Sequence, residues 1–300
     1  MSRWTAADIP DQTGRTILIT GANSGLGLRS AEALAAHGAR VLLACRNATK
    51  AAAALESVRA LATDAPPEVV PLDLADLDSV RAAADDVATR VERLDVLMNN
   101  AGIMAVPYAT TPQGFESQLG TNHLGHFALT GLLLPVLLRA DEPRVVTTSS
   151  QAHRTGRMRW DDLQWTRRYE RWLAYGQSKL ANLLFMRELA GRAAGTALRS
   201  AAAHPGWAAT QLQSGPGTMK KLSEVGNRFF AQSDAQGALP QLYAATMPDV
   251  ASGEYFGPDG LFERVGYPKR VGTTSAARND ADAARLWDLS EDLTGVTFAL

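Results

Sequence analysis

Short apolar runs alternate along the chain with longer stretches whose apolar residues recur at helical spacing. The runs at 15–20 and 40–45 are continuous, as expected of strands buried on both faces. Runs at 68–74, 94–98, 144–148 and 197–203 repeat the pattern. Between them, 24–37 places Leu26, Ala31, Leu34 and Ala35 on one helical face, closed by Gly38. An alanine-rich helix is predicted over 47–62, ended by Pro66-Pro67. Asp76 caps a helix with Leu77, Val80, Ala84, Val87 and Val91 on its apolar side. The spacing further predicts helices over 112–138, 175–194 and 276–289, and a last short strand at 254–256. Such alternation predicts an α/β fold: a doubly wound parallel sheet, Rossmann-like, with helices on both faces. No internal repeat and no low-complexity linker interrupts it, so one domain over residues 1–300 is expected.

Two stretches fall outside the alternation. Residues 151–173 are rich in arginine and tryptophan, and 207–234 carries Gly215-Pro-Gly217 and Phe229-Phe230. Long excursions from a compact α/β domain are usually functional loops.

Charge narrows the partners. Thirty Lys and Arg face 31 Asp and Glu, so no basic excess exists to hold a nucleic-acid backbone. The arginine–tryptophan stretch is interrupted by Asp161, Asp162 and Glu170, which favours a packed loop. The single cysteine, Cys45, excludes an internal disulfide framework and a cysteine-rich zinc site. No apolar run approaches the roughly 18 residues of a membrane span, and the first 14 residues are polar. A soluble cytoplasmic chain without a membrane partner is the expectation. His123 and His126 stand three apart on a predicted helix, but no third ligand is near. They read as ordinary helix histidines, and no metal is expected. His204 reads as packed or surface-lying.

The first strand runs into Thr20-Gly-Ala-Asn-Ser-Gly-Leu-Gly27 and then a helix. Gly21, Gly25 and Gly27 let a pyrophosphate approach backbone N–H groups, and the helix N-terminus adds positive dipole. Asn23, Ser24 and Leu26 belong to the same turn. At the end of the second strand, Ala44-Cys-Arg-Asn47 offers no acid for a ribose 2′-OH. Arg46 instead offers a fork for a 2′-phosphate, with Lys50 one turn on, so NADP(H) is expected over NAD(H).

Tyr175 and Lys179 are four apart on one helical face. An ammonium beside a phenol favours the phenolate and makes tyrosine a usable general acid/base. Ser150, after the fifth strand, is placed to hydrogen-bond a substrate oxygen as charge develops on it. Asn99-Asn-Ala-Gly102 follows the fourth strand, where a parallel sheet opens its ligand crevice. Asn122 is either a structural amide or part of a proton path.

Together, Thr20-Gly-x-x-x-Gly-x-Gly27, Asp73, Asn99-Asn-Ala-Gly102, Asn122, Ser150, Tyr175-x-x-x-Lys179 and Pro205-Gly206 resemble the short-chain dehydrogenase/reductases in order and spacing. The match is close over 14–210. The long 150–175 segment, Ala44-Cys-Arg46 and Ala203-His-Pro-Gly206 are most similar to the retinol-dehydrogenase-like and WW-domain-oxidoreductase-like branch, as a soluble bacterial-type member. No counterpart of that branch's membrane anchor or WW modules is read in this sequence, which turns the expectation away from retinoids and membrane-borne substrates.

The resemblance implies that Tyr175 exchanges the proton and Ser150 orients the carbonyl. Lys179 lowers the tyrosine pKa and holds the nicotinamide ribose, and Asn122 anchors a water in a relay with Lys179. It implies that Asp73 and Leu74 lie against the adenine, and Asn100, Ala101 and Gly102 along the adenosine side. Pro205, Gly206, Ala208 and Thr210 then meet the nicotinamide amide. It implies homo-oligomers assembled through the helices beginning near Pro112 and Tyr175. Trp207, Leu212, Met219, Leu222, Phe229 and Phe230 predict a lid over an apolar pocket for a hydrophobic ketone, aldehyde or secondary alcohol, although Lys220-Lys221 would suit an anion. Two other readings remain: a non-catalytic NADP(H)-sensing regulator, which would typically lack the tyrosine or lysine, and a sugar-nucleotide epimerase.

Overall fold

The computed structural model describes residues 3–206 and 233–300. Among these, the strands are β1 (Thr16–Thr20), β2 (Arg40–Cys45), β3 (Glu68–Pro71), β4 (Val96–Asn99), β5 (Arg144–Thr148), β6 (Arg199–Ala203), β7 (Tyr255–Pro258) and β8 (Pro268–Arg270). They form a single sheet in the order β3-β2-β1-β4-β5-β6-β7-β8. All neighbours are parallel except β7 and β8. The helices are α1 (Gly25–Ala35), α2 (Ala48–Arg59), α3 (Leu77–Arg90), α4 (Ser117–Leu119), α5 (Gly125–Leu137), α6 (Arg171–Arg192), α7 (Asp234–Thr246) and α8 (Asp280–Thr294).

Strand alternation sorts the core into two layers. Ile17 and Ile19 of β1 face α1, α2 and α7, whereas Leu18 faces α3, α5, α6 and α8. Val41 and Leu43 of β2 join the first layer, and Leu42 and Ala44 join the second. Both faces of the sheet are thus covered, which is why these strands are continuously apolar. The order reverses between β1 and β4, and at such a switch point the crevice opens at the carboxyl ends of the strands.

Several boundaries differ from the sequence expectation. The helix predicted over 112–138 begins only at Ser117. Thr110 bridges to Glu116 before it, and Gly114 turns the chain at φ +84°. Glu116 then caps the helix, its carboxylate accepting from the N–H groups of Gln118 and Leu119. Between α4 and α5, Gly120–Leu124 forms a π-helical turn. The helix predicted over 175–194 starts four residues earlier, because the Glu170 carboxylate accepts from the Leu173 N–H. Tyr175 therefore lies in its second turn.

Helix α7 was absent from the expectation, since Gly237 and Pro240 hide the buried periodicity of Ala238, Leu239, Leu242 and Ala245. Strand β8 was absent too: Pro-Lys-Arg has no strand pattern and is held by pairing with β7. The C-terminal helix is α8, offset from 276–289 because Asn279 caps it by accepting from the Asp282 N–H. The predicted lid lies outside the described residues, apart from Ser233 and Asp234, which cap and open α7.

Helix α8 and the tail pack over α5 and α6. The Trp287 ring stacks on Phe185 at 5.9 Å and meets Phe127 at 5.1 Å and Phe298 at 4.4 Å. Over this stretch the surface of α5 and α6, the helices expected to carry self-assembly, is occupied by the chain's own C-terminus. The 151–173 stretch is a packed loop. Arg159 covers the Trp165 ring at 4.2 Å, and the Trp160 indole N–H donates to Asp282 at 3.1 Å.

Candidate active site

Because β1 to β6 are parallel, their carboxyl ends lie along one edge, and each delivers a site segment there. Thr20 runs into the glycine turn, Cys45 into Arg46, and Pro71 into Asp73 and Leu74. Asn99 runs into Asn100–Gly102, Thr148 into Ser150, and Ala203 into Pro205 and Gly206. Ala208 and Thr210 lie outside the described residues.

The glycine turn is built for close approach. A Cβ on Gly27 would lie 2.5 Å from the Gly21 carbonyl oxygen and 2.6 Å from Asn100 Nδ2, so no side chain fits there. Gly21 and Gly25 have φ of +68° and +55°. Ser24 occupies the N-cap position of α1 without using its side chain as a cap, Leu26 is buried, and Asn23 is half-buried. Asn100 Nδ2 donates to the Thr20 carbonyl at 2.8 Å and its N–H to Thr20 Oγ1 at 2.9 Å, fixing the fourth strand's exit to the first. The turn meets the requirement for a pyrophosphate: bare backbone at the N-terminus of an 11-residue helix. One group there opposes an anion. Asp234 Oδ2 stands 4.0 Å from where a Gly25 Cβ would be, and among the described residues its Oδ1 has no partner. Burial pushes this carboxyl above the usual range, with Arg29 acting against that shift.

Arg46 is exposed and lies 3.5 Å from the Asp73 carboxylate. A surface pair of this kind is worth about 0–1 kcal/mol and leaves the guanidinium able to take a phosphate. Asp73 Oδ1 also accepts from the Ala75 N–H at 3.0 Å. Leu74 is buried, its carbonyl in the space a Gly125 side chain would need.

Tyr175, Lys179 and Asn122 are buried, at 7%, 3% and 0% exposure, and Ser150 is half-buried beside them. The Ser150 hydroxyl accepts from the Ala152 N–H at 3.2 Å, and its presence acts to lower the pKa of the Tyr175 phenol. Lys179 Nζ lies 5.8 Å from the Tyr175 ring centroid and donates to the Thr148 carbonyl at 3.1 Å. A Cβ on Gly102 would stand 3.0 Å from Asn122 Oδ1 and 3.3 Å from Lys179 Nζ, so these three residues converge. Asn122 Oδ1 accepts from the Ile103 N–H at 2.8 Å. Its Nδ2 donates to the Ile103 carbonyl and to Ser178 Oγ, both at 2.9 Å. The side chain is therefore a structural amide, and the main-chain carbonyl lies 3.0 Å from His126 Nδ1.

Burial dominates the electrostatics of this pair. Burial pushes the Tyr175 phenol up to about 12, against a smaller lowering by Ser150, and Lys179 down to about 8. The ammonium is held on Thr148 rather than on the phenol, so desolvation outweighs the lowering that the Tyr–Lys spacing suggests.

Sequence reasoning missed Gln241 and His153, and named Thr20 only as the first residue of the glycine motif, without its contacts. Thr20 Oγ1 collects the N–H groups of Asn100 and Ala101, both at 2.9 Å. Gln241 of α7 donates to Asn100 Oδ1 at 3.1 Å and Ser30 Oγ at 2.8 Å, and accepts from the Thr148 hydroxyl at 2.9 Å. His153 Nδ1 lies 2.6 Å from the Ser150 carbonyl. A lone glutamine or threonine among apolar neighbours was the only available signal. His204 is packed, with Nδ1 accepting from the Gly206 N–H at 3.1 Å and Nε2 3.2 Å from Glu263. Burial holds His123 and His126 down, to about 3 and about 4. Among the described residues no three His, Cys, Asp or Glu side chains cluster as a metal site, and no helix is long and apolar enough to cross a membrane.

The sequence pattern of the family described as short chain dehydrogenase matches residues 15–220. Retinol dehydrogenase 12 of Mus musculus is 42% identical over 285 residues, 94% of this chain and 87% of that protein. Human retinol dehydrogenase 13 is 40% identical over 291 residues, 94% of this chain and 85% of its own length. A crystal structure of an uncharacterized protein from Mycobacterium paratuberculosis is 48% identical, covers 100% of both chains and superposes with a TM-score of 0.82. A short chain dehydrogenase from Shigella flexneri, complexed with NADP, is 25% identical over 83% of this chain and 97% of its own, with a TM-score of 0.64. Sequence pattern, sheet order and the converging side chains agree: this chain belongs to the short-chain dehydrogenase family, on its retinol-dehydrogenase-like branch.

Proposed function

We propose that the chain is an NADP(H)-dependent oxidoreductase that interconverts a hydrophobic ketone or aldehyde and its alcohol, with Tyr175 as general acid/base. The observation that carries this reading is the convergence of Tyr175, Ser150, Lys179 and Gly102 beside the glycine turn. When bound, the reduced nicotinamide supplies a hydride to the carbonyl carbon.

Ser150 holds the carbonyl oxygen and stabilises the charge that grows on it. Tyr175 gives its phenolic proton to that oxygen, and in the reverse direction takes it back. A phenol raised to about 12 is fully protonated at neutral pH, yet far more acidic than the alcohol it helps form. The proton is therefore ready for reduction. Lys179 compensates the phenolate left behind.

Arg46 and the bare helix terminus favour NADP(H), and the NADP complex of the Shigella flexneri relative is consistent with that choice. The retinol dehydrogenase relatives favour an apolar substrate. Loss of the reduced-nicotinamide absorbance, followed with retinaldehyde, an aryl ketone and a sugar phosphate, tests the proposal. Faster oxidation of NADPH than NADH with the apolar carbonyls is expected. Preference for NADH, or for the sugar phosphate, overturns it.

A further inference from the structure

His126 lies on α5, four residues beyond Asn122, and is 1% exposed. Both ring nitrogens are engaged. Nδ1 stands 3.0 Å from the main-chain carbonyl of Asn122, and Nε2 stands 2.9 Å from Thr20 Oγ1. A carbonyl can only accept, so Nδ1 carries the proton and Nε2 accepts the Thr20 hydroxyl proton. Thr20 Oγ1 then has its two lone pairs free for the Asn100 and Ala101 N–H groups, both at 2.9 Å. The Met98 carbonyl, 3.3 Å from Thr20 Oγ1, is a longer alternative acceptor for that proton and already takes the Asn100 N–H at 2.9 Å, so giving the proton to His126 leaves every member from Ala101 through Thr20 and His126 to Asn122 satisfied.

The two ends belong to different parts of the site. Thr20 enters the glycine turn and pins Asn100 and Ala101 beside it. Asn122 sits in the π-helical turn, whose carbonyls are shifted off the α-helical register. Its side chain reaches Ser178, the residue before Lys179. Burial, with Lys179 nearby, keeps the imidazole neutral, so it joins the two ends without adding charge.

We propose that His126 is a positioning residue: a neutral strut that sets the nucleotide turn at Thr20 and the π-helical turn of Asn122, whose side chain reaches Ser178 and lies with Lys179 around Gly102, as one unit. The proposal rests on the reading of Tyr175 and Lys179 as proton-transfer groups. It assigns the Thr20 bond to cofactor affinity and the Asn122 bond to turnover.

Three variants separate the bonds. His126→Phe removes both, His126→Asn retains a donor at the Nδ1 position, and His126→Gln retains an acceptor at the Nε2 position. NADPH affinity is read by fluorescence titration, and kcat with retinaldehyde or an aryl ketone. His126→Phe is expected to lose about tenfold in each, the worth of one buried hydrogen bond. His126→Asn should recover kcat but not affinity, and His126→Gln affinity but not kcat. If His126→Phe fails to fold, the opposite recoveries of the other two carry the test. Unchanged affinity and kcat in a folded His126→Phe, or equal effects of the Asn and Gln variants on both readouts, would overturn the proposal. Nitrogen NMR of labelled histidine gives a readout without turnover: a neutral Nδ1–H tautomer persisting to pH 5 is expected, and the Nε2–H form contradicts the strut. If wild-type protein reduces no carbonyl, the Tyr175 reading fails, while affinity and tautomer still decide the strut.

Discussion

Lys179 gives its ammonium to the Thr148 main-chain carbonyl, 3.1 Å away, and Asn182 donates to the same oxygen at 3.0 Å. The last residue of β5 therefore holds the lysine over the crevice, one helical turn from Tyr175. Its charge is kept inside the protein at a cost, since burial pulls its pKa down to about 8.

That depression has a definite sign. An unfolded lysine keeps its proton up to about pH 10.4, so between pH 8 and 10.4 the unfolded chain binds more protons than the folded one. The penalty from this group is complete below pH 8 and fades as pH rises toward 10.4. Lys179→Met removes the penalty, and Thr148 keeps its bond from Asn182. Thermal unfolding at pH 7 should show the variant more stable, by on the order of 1 kcal/mol, with the gap closing above pH 8. A less stable variant at pH 7 contradicts this.

Among the described residues the exposed Arg46 pairs with Asp73 alone, so its loss should not disturb the fold. Arg46→Ala is expected to raise KM for NADPH roughly 10–100-fold, the worth of a charge-assisted contact to phosphate, and to change KM for NADH little. Equal effects on the two cofactors would remove Arg46 from the 2′-phosphate.

Asp234 faces the glycine turn with one oxygen unpartnered among the described residues. Asp234→Asn keeps the shape and removes a negative charge from a site for anions. NADPH should bind several-fold more tightly at low salt, with the advantage shrinking as salt rises. Weaker binding would mean that the carboxylate serves the cofactor.

Trp287 fills the core between Phe127, Phe185 and Phe298, with its indole nitrogen unpartnered. Trp287→Ala should cost about 3–5 kcal/mol in denaturant unfolding. Trp287→Phe should cost far less, because no hydrogen bond is lost.

Sheet and site differ in how far the chain announces them. Strands β1, β2, β4, β5 and β6 were legible because burial on both faces leaves compact, mostly apolar runs such as Ile17-Leu-Ile19. Tyr175, Lys179, Ser150, Arg46 and the glycines were legible because their spacing is local and their chemistry distinctive. Strand β8 exists only by pairing with β7, and α7 hides its buried face behind Gly237 and Pro240. His126 and Gln241 were silent for a related reason: their partners lie 106 and 141 positions away, at Thr20 and Asn100. The raised Tyr175 pKa was hidden too, since sequence spacing carries the lysine's charge but not the burial that outweighs it.

The central claim is that Tyr175 moves the proton, and Tyr175→Phe tests it most directly. The variant keeps the ring and loses only the hydroxyl, so NADPH should bind with an unchanged Kd. Its NADPH oxidation with an apolar carbonyl should fall by about 10²–10⁴ at neutral pH. Turnover near the wild-type rate, with cofactor binding intact, would contradict the account.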